Sequence, residues 1–401
     1  MNIQALKRVV RRDDVAGRSI DGEPTLLSAS GRRIHRLNES ALMVWDLIGD
    51  EATVDGLTTA LLARVDVEES QLRHDVQSAL SEFARGSLLC TPQDVHREAV
   101  PIRDAAVSRH AVERPAISLG PYPVLESLLR IEFTGSTVPR EIRELFADLA
   151  AVLEPLHGSS AAIDVDKASA VVIRIAPVDS AFSVTRNGHL VASASSIASL
   201  RRVVLVEVNA GPIAELSHSV GFHAGAVEFP HGVVVFPGIS NAGKSTLVAN
   251  LMLRGHGYLT DEAAAIDVVS GEILPFTKSL CIDPGAQALF PDLASHRSSN
   301  AATWDISPAV IGPGRLGSPG APMAFVFPTF QPGIAVSWRE LSPTTALTRL
   351  LENSFDFSTT GAPGAELLLD LAERVPCFEL SHGGQTEHLE ILDGHFGAAA
   401  R

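Results

Sequence analysis

The stretch VVVFPGISNAGKSTLVANLMLRGHGYLTDEAAAID, Val233 to Asp267, decides the reading of this chain. An apolar strand, VVVF, enters a loop whose Gly238, Gly243, Lys244 and Ser245 fit the phosphate-loop pattern G-x-x-x-x-G-K-[ST]. KSTLVANLMLRG leaves that loop as a helix ending near Gly255. In a strand–loop–helix of this kind the loop amides and the positive end of the helix dipole converge on phosphate. The spacing therefore predicts a nucleotide cradle of Gly238, Ser240, Asn241, Ala242, Gly243, Lys244, Ser245 and Thr246. Lys244 is expected to reach the β- and γ-phosphates of ATP, and the Ser245 hydroxyl to join a Mg²⁺ shell. Asn241 stands where many such loops carry Gly, and Asn tolerates a left-handed backbone best among the other residues.

Downstream, GYLTDEAAAIDV reads as a return to the sheet. Asp261 is expected at the end of a short strand neighbouring the loop strand, with its carboxylate at the phosphate edge, 17 positions after Lys244. An acid there can act on Mg²⁺ or take a proton from an attacking hydroxyl. Glu262 is expected to point the other way if the pleat continues. Lys278 and Arg315 are candidates to bind phosphate or acceptor, but surface charges are usually just solvated, and they are left out of the expected site.

Working outward, residues 18 to 90 alternate turn signals with short periodic segments. PTLLSASGRRIHRLN reads as a hairpin turning at Ser30-Gly31. NESALMVWDLIGD reads as a helix capped by Asn38, stapled by Leu37 and Leu42, with Leu42, Trp45 and Ile48 inward and Gly49 at its end. A second helix is expected after Thr53, and a third from about Asp66 with Leu72, Val76, Leu80 and Phe83 on one face. GSLLC closes this small winged-helix-like unit as a strand. Residues 1–95 thus form one domain and 96–116, polar and carrying Pro101 and Pro115, a linker. Residues 117–215 are read as a mixed α/β subdomain with a tight turn at Asn187-Gly188, and 216–401 as the α/β domain around the phosphate loop. The Ser-, Gly- and Pro-rich segment 291–321 is expected to be a long mobile loop.

The composition narrows the function. The 401 residues carry 45% apolar and 20% charged side chains, the balance of a globular protein. A formal charge of −15 argues against nucleic acid and anionic membranes as partners. No apolar run is long enough to span a bilayer, and the basic start has no apolar core of a secretory signal behind it. Cys90, Cys281 and Cys377 lack metal-ligand spacing and read as buried thiols, so a cytoplasmic location is expected.

Two resemblances add to this. The segment around the loop resembles the catalytic domain of HPr kinase/phosphorylase and its relatives in ribosomal peptide biosynthesis. His223 in GFHAGAVEF stands fifteen positions before Gly238, TDE follows the loop helix, and VVSGEILPFTKSL is similar to the strand–turn–strand found there. The likeness is specific over 221–280 and loose over 117–395. It departs in having Glu262 for Asp and in lacking the short segment with a Mg²⁺-binding Glu. It implies Asp261 as the base toward an acceptor Ser hydroxyl, His223 as a polar or cationic neighbour of the γ-phosphate, and Ser245 with Glu262 as metal ligands. The first domain, through RRIHRLNESALMVWDLI and TVDGLTTALLARVDVEESQLRHDVQSALSEFARGSLL, is similar to the D protein of pyrroloquinoline quinone biosynthesis. That resemblance implies a domain that takes the leader of a precursor peptide as an extra strand on its sheet edge. The rival, a winged-helix DNA binder, would read DNA with DVEESQLRHDVQ, which has more acids than bases.

Together these readings predict an ATP- and Mg²⁺-dependent kinase acting on a Ser or Thr of a ribosomally made peptide. A kinase for a small hydroxy compound and a nucleotide-controlled peptide adaptor are the alternatives. Oligomeric state is left open.

Overall fold

A computed structural model describes residues 8–49, 52–91, 114–162, 168–239, 242–296, 302–311, 316–384 and 386–397. The expected linker, as far as residue 113, lies outside them, as do Ser240, Asn241 and Arg315. The chain divides into two compact units.

The N-terminal unit is built on strands Val15–Ile20, Glu23–Ser28 and Arg33–Arg36, paired antiparallel in that order. The first hairpin turns at Asp21-Gly22, where both residues have positive φ, as a two-residue Asp-Gly turn requires. Asn38 caps the helix Glu39–Leu47 by accepting from Ala41 N–H at 2.7 Å, and Thr53 caps Val54–Leu62 through Gly56 N–H at 3.0 Å. The third helix, Glu69–Arg85, starts three residues later than the sequence suggests. Its Leu72, Val76, Leu80 and Phe83 are buried, and Phe83 meets Trp45 edge-on at 5.3 Å. In the first helix the buried face is Val44 and Trp45, with Ile48 just past its end. Leu42 is only partly covered. Leu89–Cys90 closes the unit by pairing with Val10–Arg11.

This unit also takes residues 342–351 and 356–374, which the sequence reading placed in the catalytic domain. The helix Gly361–Arg374 buries Ala365, Leu368, Leu369 and Ala372 and packs on the strand Val15–Ile20. Arg18 of that strand bonds Asp370 at 2.6 Å and Glu373 at 3.1 Å.

The second unit joins the two parts that the sequence separates at 215. Its first sheet runs His189–Ala194, Ala181–Arg186, Ser169–Val178, Ser127–Phe133 and Ile117–Val124, with the expected turn at Asn187-Gly188. Helices Arg140–Leu153 and Ile197–Ala214 share its core. Ala263, Ala265 and Phe276, from beyond the phosphate loop, are buried in that same core, so 117–215 does not form a separate body.

The second sheet carries the loop. The long strand Ser219–Phe229 turns back into Gly232–Pro237, which pairs in parallel with Pro322–Phe330, itself parallel to Cys377–His382. Val234 and Phe236 of the loop strand, Leu247 and Leu251 of the loop helix, and Ala324 and Val326 form one buried cluster. That packing fixes the strand and the helix on either side of the cradle. The described residues of 291–321 include regular, buried structure where one long mobile loop was expected. Trp304–Ile306 pairs with Leu280–Ile282, and Trp304, Ile306 and Ile311 are buried. Apolar residues scattered among Ser and Gly anchor it. No helix among the described residues is long and apolar enough to cross a membrane.

Candidate active site

The loop strand ends at Pro237 and the loop helix begins at Lys244. Gly243 has φ +86°, a conformation that side chains other than Gly rarely adopt. A Cβ on Gly238 would lie 3.1 Å from the Ala242 Cβ, so both glycines serve the tight turn. Lys244 is buried and its ammonium donates to the carbonyls of Gly238 at 2.7 Å and Ile239 at 2.9 Å. Burial lowers its pKa to about 8, against the pull of Glu262 and Asp261. Ser245 and Thr246, in the first helical turn, are half-buried.

Asp261 and Glu262 follow the strand Gly257–Thr260. That strand pairs with Ser219–Phe229 and not with the loop strand, so the acids sit one strand farther over than expected. The chain also bends at Asp261 and Glu262 before resuming as Ala263–Asp267. The pleat is interrupted there, and both carboxylates turn to the same lysine. Lys278 donates to Asp261 at 3.2 Å and lies 3.9 Å from Glu262. Asp261 further accepts from the Tyr258 hydroxyl at 3.0 Å and from Cys281 N–H at 3.4 Å. Its side chain is 1% exposed, against 32% for Glu262.

Lys278, left out of the site expected from the sequence, is thus the buried partner of both acids. Burial alone lowers its pKa, but Asp261 and Glu262 outweigh that and raise it. Glu262 has its pKa raised by burial, partly offset by Lys278. Tyr258, fully buried beside Asp261, holds its proton well above the usual phenol range, for burial first and that carboxylate second. No local motif marks Lys278. The one local hint is that PFTKSL places Lys278 between small polar residues inside a short segment with Phe276 and Leu280.

His223 lies on the long strand, half-buried, and its carbonyl accepts from Gly238 N–H at 3.1 Å. Burial, then Lys244, lowers its pKa to about 4. Without phosphate beside it, burial and Lys244 thus favour its neutral form. Its ring stacks with Phe355 at 6.3 Å.

Among the described residues no group of three or more His, Cys, Asp or Glu forms a ready metal cage. The donors that are present, the Ser245 hydroxyl and the Glu262 carboxylate, are hard oxygens. They suit Mg²⁺, which keeps several waters and takes few protein ligands beside substrate phosphates. The glycine-lined turn around Lys244 suits a polyphosphate in the same way.

Comparison with known proteins returns one family match, over the first unit, and two solved structures of low overall similarity. Residues 25–89 match the PqqD family, Coenzyme PQQ synthesis protein D. Among solved structures, "TbiB1 in Complex with the TbiA(beta) Leader Peptide" is 23% identical. That match covers 20% of this chain and 93% of that chain, with a TM-score of 0.18. The Hpr(Ser) kinase/phosphatase from Coxiella burnetii is 13% identical, covering 44% of this chain and 95% of that one, with a TM-score of 0.22. No curated protein matches. The family match thus falls within the N-terminal unit.

Proposed function

We propose that this chain is an ATP-dependent kinase that phosphorylates a Ser or Thr hydroxyl of a ribosomally made precursor peptide, recruited through its leader to the PqqD-like unit. One observation carries the reading: the strand feeding the turn that buries Lys244 and the strand that leads into Asp261 and Glu262 pair with the same strand, Ser219–Phe229, and both acids are held by a second lysine, Lys278. A loop that only sensed nucleotide would need an acid for Mg²⁺ but no second one to act as base.

The residues divide the work as follows. Loop amides and Lys244 hold the phosphates, with Lys244 giving up the carbonyls of Gly238 and Ile239 for them. Ser245 and Glu262 would hold Mg²⁺, which supplies charge neutralisation at the phosphate oxygens. Asp261 takes the proton of the acceptor hydroxyl as its oxygen attacks in line, and ADP leaves. His223, neutral before phosphate binds, offers a hydrogen bond beside the loop. The strand Arg33–Arg36 is an edge of the N-terminal sheet and can accept a leader as a further strand. A leader so held raises the local concentration of the attached acceptor.

A second assignment of the base has its own support. Both oxygens of Asp261 already accept hydrogen bonds, and Glu262 is the more exposed acid. In that case Asp261 anchors Lys278 and Glu262 takes the proton.

The test is to mix the full chain with ATP, Mg²⁺ and a short peptide encoded beside it and follow the mass of the peptide. Addition of one phosphate is expected, and Lys244→Ala should abolish it. Asp261→Asn and Glu262→Gln then separate the two assignments: the loss from a missing metal ligand should be relieved by raised Mg²⁺ or by Mn²⁺, whereas the loss from a missing base should not, with nucleotide binding surviving in the base variant. Phosphorylation of a free hydroxy amino acid without peptide would favour the small-molecule kinase. Nucleotide-dependent peptide affinity with no mass change would make the protein an adaptor.

A further inference from the structure

The phosphate loop has two flanks. On one, the strand Ser219–Phe229 and its neighbour bring His223, Asp261 and Glu262, where the transferring end of a triphosphate belongs under the reading above. The nucleoside at the other end must leave over the opposite flank. There the strand Pro322–Phe330 runs parallel to the loop strand and ends at the same edge.

The residue at that end is Phe330, which is 44% exposed, although large apolar side chains are more often covered. A Cβ on Gly243, the last loop residue, would lie 3.5 Å from the Phe330 Cβ. A Cβ on Gly384 would lie 3.5 Å from its ring. Two glycines therefore flank this aromatic side chain, one of them in the cradle itself. Beside it His382, its register partner on the neighbouring strand, places a ring 5.5 Å from that of Phe330. His382 is buried and stacks at 4.0 Å on His388. Both of its ring nitrogens lack a hydrogen-bond partner among the described residues.

We propose that Phe330, backed by His382, is the platform on which the nucleobase of the bound nucleotide stacks. The geometry favours this occupant because the side chain adjoins Gly243, the last residue before the loop helix, and lies on the side away from the acids. Every base has a π-face, so stacking of this kind tolerates adenine and guanine alike. The platform contributes affinity, and it discriminates little between purines. The proposal rests on the nucleotide-binding reading of the loop, and its test separates the two.

The full chain, as wild type, Phe330→Ala and Phe330→Trp, is titrated by calorimetry with MgATP and with inorganic tripolyphosphate, which has no base. The wild type is expected to bind ATP more tightly than tripolyphosphate. Phe330→Ala should lose about tenfold in ATP affinity, equivalent to ~1.4 kcal/mol, with tripolyphosphate unchanged, and Phe330→Trp should restore it. If the wild type binds both probes and Phe330→Ala leaves ATP affinity intact, the platform is wrong while the loop reading stands. Equal losses for both probes also overturn it, because Phe330 would then prop the loop and not the base. A wild type that binds neither probe overturns both readings.

Discussion

The two flanks of the phosphate loop solve different physical problems. On the acid flank Asp261, Glu262, Lys244 and Lys278 are charged and largely buried, and each depends on the others. On the aromatic flank Phe330, His382 and His388 meet through rings, and His382 is held neutral, with burial lowering its pKa to about 4 and His388 adding to the effect. Buried charges are tolerated only in mutual compensation, so altering one disturbs several. Stacked rings are close to independent, and an exposed one can be removed with little disturbance. Substitutions on the acid flank will therefore mix folding with function. On the aromatic flank the two come apart.

The largest expected effect breaks the compensation. Lys278→Met leaves Asp261, with its side chain 1% exposed, facing no cation at 3.2 Å. Removing one partner of a buried pair costs about 3–5 kcal/mol, read as a fall in the urea midpoint at constant slope. The double variant Lys278→Met with Asp261→Leu should recover much of that loss, since replacing a whole pair by apolar groups is far milder than orphaning one half. A single variant as stable as wild type would show that the two flanks do not differ in this way.

Next in size is an acid limb from His382. Its folded pKa of about 4 lies below the ordinary value of 6.5. Between those values the unfolded chain binds a proton that the folded chain does not, so stability is intact above pH 6.5 and falls as the pH drops toward 4. From pH 7 to pH 5 this amounts to about 2 kcal/mol. His382→Phe keeps a ring and should flatten that part of the profile, measured by urea denaturation across the range. His223, also lowered to about 4, keeps its own share in that variant.

How far each flank was legible follows from how local its causes are. The phosphate loop is a contiguous motif, and Asn38 and Thr53 announce helix starts because a cap acts within three residues. The Asp21-Gly22 hairpin carried a strong turn signal that the reading passed over. The acid flank was half legible. Asp261 and Glu262 are adjacent to the motif, but the bend between two strands, which aims both at Lys278, depends on how each strand pairs. Lys278 stands 17 residues beyond Asp261, and no periodicity ties the two. Phe330 and His382 were invisible, because strands far apart in sequence meet only once the parallel crossover is built. The same holds for the helix Gly361–Arg374. Its apolar face is plain in GAPGAELLLDLAER, but an apolar stripe does not say which core it will join.

The smallest expected effect sharpens the contrast most. Phe330→Ala should change the unfolding free energy, read by urea denaturation, by less than about 0.5 kcal/mol, the range of surface substitutions away from special features, because the side chain is 44% exposed and its ring has no charge to orphan. Its neighbours on the loop side are glycine backbone, which loses little contact when a ring is withdrawn. A variant of wild-type stability is what makes any change in nucleotide affinity attributable to the ring itself. A loss of 2 kcal/mol or more would instead mean that Phe330 buttresses the turn at Gly243. The aromatic flank would then be as interdependent as the acidic one, with packing in place of charge as the coupling.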